Sequence, residues 1–267
     1  MPRLPDTEKK RSASYPAGAT PQARRFAMSM QLALLEAALA PWPRRQTPLL
    51  EVNCGNGAFL QFLWQCGFDV HGSEADAGLR LRAQKRAVPG AEIHAALDDD
   101  LPFENDAFDW VIVHLKTGEA DGIASCAGEA ARLARRGLMI TFWNSGSIPA
   151  LCWRLTHAKP WAPNTASWWL VWRLLNGLGL GRVTSHSTLA APVCAWRRQW
   201  NMTVPGLPLG GWCAIRLDMG PAAPVTPLRL NLRLRQPEPL IEFAPKRTAT
   251  GKQDEAIFKL GRKDKSA

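Results

Sequence analysis

The sequence predicts an α/β fold in which a mostly parallel, doubly wound β-sheet carries helices on both faces. Two observations predict it. Short apolar runs alternate with amphipathic segments at close intervals through residues 48–143, which is typical of a parallel sheet with crossover helices. The first two runs also end in glycine and acidic residues, and ligands of such sheets bind just beyond the strand ends.

The elements follow in chain order. Met28, Leu32, Leu35 and Leu39 recur at helical spacing and predict a helix over 26–39. Apolar runs predict strands at 49–52, 68–72, 109–115 and 137–143, and Ile93 marks a further strand. The segments between them predict helices over 58–66, 76–87 and 123–135. Beyond Trp143 we expect a helix at 167–175 and strands at 182–188 and 211–218.

The formal net charge of +10 lies on the ends of the chain. Residues 1–25 carry +4, residues 220–267 carry +5, and residues 26–219 carry only +1. We therefore predict one domain over 26–219 between a disordered basic tail, 1–25, and a Pro- and Lys/Arg-rich tail, 220–267. The tails are either solvated ends or sites of weak, salt-sensitive contact with nucleic acid or an anionic surface.

The six cysteines lie far apart and form no CxxC pair, so they predict neither a zinc site nor a disulfide framework. Reduced thiols, together with a polar start that does not look like a signal peptide, favour a cytoplasmic protein. The longest apolar stretch, 168–180, is interrupted by Arg173 and Asn176. It predicts no transmembrane segment. No Ser-His-Asp, Cys-His or metal-ligand arrangement stands out, and we expect no metal.

Two features mark a candidate ligand site. A glycine-rich turn follows the first strand and precedes a helix, which lets backbone approach a ligand closely. Glu74 ends the second strand, 23 positions after Glu51. An acid at that place commonly accepts both hydroxyls of a ribose. The alternatives are a plain tight turn and a solvated acid.

A third segment, residues 98–112, contains Leu101-Pro102-Phe103 and Phe108-Asp109. With it the chain resembles the class I methyltransferase family that includes ubiquinone/menaquinone and many small-molecule methyltransferases. Members read approximately LLDVGCGTG, an acid after the second strand, DAEDLPFPDNSFDVV, and an R-x-L-x-P-G-G turn. The corresponding segments here are 49–57, Glu74, 98–112 and 132–137, over about residues 48–143.

The resemblance implies a Rossmann-like fold, S-adenosylmethionine as cofactor, and a role for each matching residue. Glu51 would orient the amino-acid end of the cofactor, and the turn from Asn53 through Cys54 and Gly55 to Gly57 would pass beneath its methionine and ribose. Glu74 would hold the ribose. Leu97 and Asp98 would lie beside the adenine. Asp109 would be structural.

The chain departs from the family pattern at three places. Asn53 replaces the first glycine of the turn, Leu97 stands where the adenine-side acid aligns, and Arg135-Arg136-Gly137 replaces Pro-Gly-Gly. Asparagine tolerates a left-handed backbone better than most residues but adds bulk near the cofactor.

We therefore predict an S-adenosylmethionine-dependent methyltransferase that acts on a small, partly apolar acceptor. His114 ends the fourth strand, where acceptors meet the methyl group in this architecture, and is the candidate base if the acceptor must lose a proton. A packed core histidine is the alternative. Nine of the 12 tryptophans lie between 143 and 212. The region of about 144–212 forms part of the core, caps the acceptor, or touches a membrane surface through Trp168–Trp172.

Two other functions compete with this one. A non-catalytic binding module with a degenerate cofactor loop is favoured by Asn53 and Leu97. A nicotinamide-dependent oxidoreductase is disfavoured, because the turn lacks GxGxxG and residues 101–109 would then have no role.

Overall fold

The computed structural model describes residues 15–16, 18–45, 47–86, 90–157, 161–162, 164–196 and 204–220. Its strands are β1 (Pro48–Val52), β2 (Asp69–Ser73), β3 (Glu92–His94), β4 (Phe108–His114), β5 (Ala134–Asn144), β6 (Thr165–Ala166), β7 (Gly181–Thr188), β8 (Val204–Pro205) and β9 (Trp212–Met219). Its α-helices are α1 (Pro21–Leu39), α2 (Ala58–Gln65), α3 (Ala77–Arg86), α4 (Ala120–Leu133), α5 (Ile148–Thr156) and α6 (Trp168–Gly177). The elements predicted for residues 48–143 are therefore confirmed, with shifts of a few residues at their ends.

The strands form one mixed sheet in the order β3-β2-β1-β4-β5-β9-β7-β8, and β6 pairs with β5. Strands β1 to β6 pair in parallel, whereas β9, β7 and β8 are joined by antiparallel pairings. The chain crosses from one side of β1 to the other between β3 and β4. This reversal is the switch point at which doubly wound sheets bind ligands.

Alternate residues of the strands enter two hydrophobic cores, one on each face of the sheet. On β4, Trp110 and Ile112 join the core that contains residues of α1 and α2. Val111 and Val113 join the core that contains residues of α4 and α6. This period of two accounts for the continuous apolar run in the sequence, because a central parallel strand is buried on both faces.

The first helix begins earlier than the sequence pattern predicted. Pro21–Arg25, predicted as part of a disordered tail, are helical because the Thr20 hydroxyl caps the helix by accepting from the Ala23 amide, and proline suits the first helical turn. Most of the remaining predicted tails, 1–14 and 221–267, lies outside the described residues.

The tryptophan-rich region contributes mainly to the core. Within it the buried indoles are those of Trp143, Trp161, Trp168, Trp196 and Trp212. Trp169 and Trp172 of α6 are exposed, and Trp200 lies outside the described residues. Among the helices that the structure describes, none has the length and apolar character needed to cross a bilayer.

Candidate functional site

The turn after β1 has the left-handed backbone that its glycines suggested. Asn53, Gly55 and Gly57 have φ angles of 61°, 60° and 75°. A Cβ at Gly57 would lie 3.2 Å from the Ala83 backbone, so this glycine lets α2 and α3 approach each other. A Cβ at Gly55 would meet nothing within 4 Å. Gly55 therefore faces open space, where a ligand can lie against the backbone.

Asn53 joins three segments of the site. Its side-chain amide donates to Asp98 Oδ2 at 2.8 Å and to the His114 carbonyl at 2.9 Å. The side chain, which the sequence suggested would add bulk beside the cofactor, instead connects the turn to residues after β3 and to the end of β4. The asparagine therefore has a clear structural role at a position where the family has glycine.

Glu74 is fully buried and is the hydrogen-bonding centre of this edge of the sheet. Its Oε2 accepts from the Gly55 amide at 2.9 Å, and its Oε1 accepts from the Asp76 amide at 3.0 Å. The Lys116 ammonium donates to the same Oε1 at 2.6 Å. The carboxylate thus holds the glycine turn against the end of β2, in contrast to the solvated acid considered as an alternative.

Glu51, His114 and Thr141 form a hydrogen-bonded chain across β1, β4 and β5. His114 Nε2 lies 2.9 Å from Glu51 Oε1, and His114 Nδ1 lies 2.5 Å from the Thr141 hydroxyl. When Glu51 is ionised, His114 Nε2–H donates to Glu51 and the Thr141 hydroxyl donates to Nδ1. When Glu51 is protonated, its carboxyl donates to Nε2 and Nδ1–H donates to the Thr141 hydroxyl. Burial raises the pKa of Glu51 above its usual range, and the contact with His114 opposes that shift.

Two cavities open at this edge. The larger, of about 410 Å³, is lined by Tyr15, Phe59, His114, Thr141, Trp143 and Trp212 among others. The smaller, of about 290 Å³, is lined by Glu74, Asp76, Leu97, Asp98, Asp99 and Cys126 among others. Asn53, Leu79 and Lys116 line both. The two cavities together form one site with an acidic end and an aromatic end.

The structure brings most of the predicted site residues to these cavities. Asn53, Cys54, Gly55 and His114 line the larger one, and Glu74, Leu97 and Asp98 line the smaller one. Glu51 and Gly57 line neither cavity and support residues that do. Glu51 contacts His114, and Gly57 is the residue at which α2 begins. Burial raises the pKa of the Cys54 thiol far above its usual value, which keeps the thiol protonated.

Sequence reasoning missed Lys116, Thr141, Arg82 and Tyr15. Lys116 follows a strand that the sequence predicted, so the strand-end rule could have found it, whereas Thr141 lies within β5. Tyr15 lay in the predicted tail, yet it lines the larger cavity and its ring lies 6.0 Å from that of Trp143. Burial raises its pKa to about 12, which keeps the hydroxyl protonated.

The structure also groups His71, Glu92 and His94, whose ligand-type atoms lie within 4.8 Å of one another. His71 and Glu92 are register partners on β2 and β3, and His94 lies two residues further along β3. The sequence did not predict this possible metal-binding group, because the three residues come together only through the parallel pairing of β2 and β3.

Asp109 and Arg132 show how the third and fourth sequence segments depend on each other. The Arg132 guanidinium donates to the carbonyls of Phe103 at 2.9 Å and Leu101 at 3.2 Å. Asp109 lies 3.3 Å from Arg135 and 3.4 Å from Arg136. Arg132 therefore holds the segment before β4 against the end of α4. Asp109, the second residue of β4, pairs with the start of β5, which agrees with the structural role expected for it.

Comparison with known proteins identifies the same region. Residues 50–141 match the model of a family described as methyltransferase domain. Over 164 residues the chain is 24% identical to malonyl-[acyl-carrier protein] O-methyltransferase of Pseudescherichia vulneris, covering 60% of this chain and 57% of that protein. The chain thus spans little more than half the length of this curated relative.

Solved structures share the fold. A methyltransferase of Thermotoga maritima, described as S-adenosylmethionine-dependent and a possible histamine N-methyltransferase, superimposes with a TM-score of 0.60 and 18% identity, over 74% of this chain and 92% of that one. Magnesium protoporphyrin IX methyltransferase of Synechocystis, solved with bound S-adenosylhomocysteine, superimposes with a TM-score of 0.57 and 15% identity. The match covers 80% of this chain and 94% of that one. Residues 50–141 of this chain therefore match the methyltransferase domain family, and the fold around them is the one shared by these solved methyltransferases.

Proposed function

We propose that this protein transfers a methyl group from S-adenosylmethionine to a small, partly apolar acceptor. One observation carries the proposal: an acidic cavity and an aromatic cavity meet at Asn53 and Lys116, at the switch point of the sheet. A nucleoside fits the first cavity and an acceptor fits the second, so the methyl group would pass between them near their junction.

The residues present suit this cofactor. Glu74 is a buried carboxylate for the ribose hydroxyls, and Asp98 and Asp99 offer acceptors for an adenine amino group. Leu97 is 54% exposed at the cavity, where an apolar side chain would cover a flat base. Gly55 leaves room for the methionine portion, because nothing lies within 4 Å of where its Cβ would be.

When bound, the cofactor supplies an electrophilic methyl group on a good leaving group, so positioning supplies much of the rate. The aromatic walls of the larger cavity exclude water and orient the apolar part of the acceptor. The ring of Phe59 is stacked with those of His114, at a centroid distance of 4.9 Å, and Trp212, at 6.1 Å, and all three rings line that cavity.

His114 is the proposed base for an acceptor that must lose a proton. Both of its ring nitrogens already have hydrogen-bond partners, so a proton from the acceptor must reach the ring through one of those partners. Thr141 lines the cavity and contacts Nδ1. A proton from the acceptor would reach His114 by way of the Thr141 hydroxyl rather than by way of Glu51, which does not line the cavity. Glu51 would then stabilise the resulting imidazolium.

A thermal-shift measurement on the purified protein tests the proposal with S-adenosylmethionine, S-adenosylhomocysteine and nicotinamide dinucleotides. Either adenosyl ligand at one hundred times its dissociation constant should stabilise the fold by about 2.7 kcal/mol. Stabilisation by a nicotinamide dinucleotide alone would contradict the proposal.

A further inference from the structure

We propose that Lys116 and Arg82 bind a carboxylate group of the acceptor, and that in the ligand-free protein Glu74 holds the Lys116 ammonium away from that position. The inference rests on the proposed function and assigns it a class of acceptor: an apolar molecule that carries a carboxylate.

The two ends of the site differ in charge. The residues described as lining the smaller cavity include four acids, Glu74, Asp76, Asp98 and Asp99. Those described as lining the larger cavity include no Asp or Glu but contain Arg82 and Lys116. A cavity with aromatic walls and two cations favours an apolar anion over a neutral or cationic molecule.

Lys116 lies at the junction of the two cavities and lines both of them. It comes two residues after the end of β4, and its side chain remains 25% exposed. Because the lysine stem is flexible, rotation about its side-chain bonds can carry the ammonium from one cavity to the other. In the structure the ammonium is on the acidic side, 2.6 Å from Glu74.

The Glu74 carboxylate accepts hydrogen bonds from three donors. The amides of Gly55 and Asp76 are fixed by the backbone, whereas Lys116 is held only by its own side chain. When ribose hydroxyls engage the carboxylate, Lys116 is therefore the partner that gives way. The released ammonium needs a new anion, because an unpaired charge in a partly buried site is costly.

This exchange couples the two ligands. A carboxylate in the larger cavity takes up the released ammonium, so nucleoside and carboxylate each strengthen binding of the other by the same factor. The cofactor's own methionine carboxylate is a second source of the same chemistry, and the experiment must separate the two.

The test is calorimetric titration of the full chain with hexanoate and with hexanamide, with and without saturating S-adenosylhomocysteine. With that ligand present, the wild type should bind hexanoate at least about tenfold more tightly than hexanamide, and without it the preference should shrink by a similar factor. Lys116→Met should lose the preference. Lys85→Met, which removes an exposed charge from α3 outside both cavity linings, should keep it.

Glu74→Gln provides a second arm, since it removes the charge that pairs with the Lys116 ammonium and the side chain itself does not line the larger cavity. Its hexanoate preference should no longer depend on S-adenosylhomocysteine. Equal binding of hexanoate and hexanamide by the wild type, or an unchanged preference in Lys116→Met, would overturn the inference.

A third arm compares S-adenosylhomocysteine with 5′-methylthioadenosine, which lacks the amino-acid portion. If Lys116→Met weakens the first ligand but not the second, Lys116 serves the cofactor's carboxylate and the acceptor assignment is wrong. Failure of the wild type to bind S-adenosylhomocysteine at all would instead reject the proposed function.

Discussion

Glu74 is the residue on which the cofactor site depends most directly. Glu74→Gln keeps the size of the side chain but removes the charge that its hydrogen bonds use. Binding of S-adenosylhomocysteine should weaken about ten- to a hundred-fold, the effect of losing charge-assisted hydrogen bonds. Calorimetry measures the loss, and Glu104→Gln, in an exposed loop, is the matched control.

The same substitution should also lower stability. A solvated acid, the alternative that the sequence left open for Glu74, would contribute little to folding. The Glu74 carboxylate is instead buried and accepts from two backbone amides and Lys116. One poorly satisfied buried group costs about 1–3 kcal/mol. Urea unfolding should therefore show a loss of that size; an unchanged midpoint would mean that Glu74 is not part of the turn's support.

Glu51 should make stability depend on pH. Since burial raises its pKa in the folded protein, the folded chain retains a proton that the unfolded chain has already lost. Stability should then fall as pH rises from the ordinary carboxyl pKa to the raised folded value, and stay lower above it. In urea titrations over a pH series, the free energy of unfolding of Glu51→Gln should rise relative to that of the wild type as the pH increases through that range. A difference that does not change with pH would contradict the assignment.

At the scale of elements, the turn between β1 and α2 depends on Gly57. Gly57→Ala should destabilise the protein by about 1–2 kcal/mol from the left-handed backbone alone, and further because its Cβ would lie 3.2 Å from Ala83 backbone. Gly128→Ala is the matched control: it lies exposed inside α4 with nothing near its Cβ. This control should stabilise by about 0.5–1 kcal/mol. Thermal unfolding of both variants measures the contrast.

At the scale of the whole molecule, the described cavity linings lie between Tyr15 and Trp212. Deleting residues 1–14 and 221–267 should therefore leave the affinity for S-adenosylhomocysteine unchanged within a few fold. Loss of binding in a truncated protein that still folds would show that the ends contribute to the site.

Deleting residues 1–25 should behave differently, although the sequence pattern placed all of them in a tail. That deletion removes Tyr15 from the cavity and the Thr20 cap from α1. Loss of such a cap costs about 1 kcal/mol. A lower melting temperature than that of the shorter truncation is expected in differential scanning calorimetry.

The sequence by itself determined the α/β class, the order of strands and helices over 48–143, and the glycine turn with Glu74 beyond it. Those features are local: apolar periodicity specifies an element, and a strand end followed by glycine specifies a turn. Only the tertiary structure decided the partners. Lys116 reaches Glu74 across 42 positions, and Asn53 reaches Asp98 across 45, because parallel pairing brings distant strand ends to one edge. The acidic character of the smaller cavity and the aromatic character of the larger one also depend on this assembly, since their lining residues come together only when the sheet has formed.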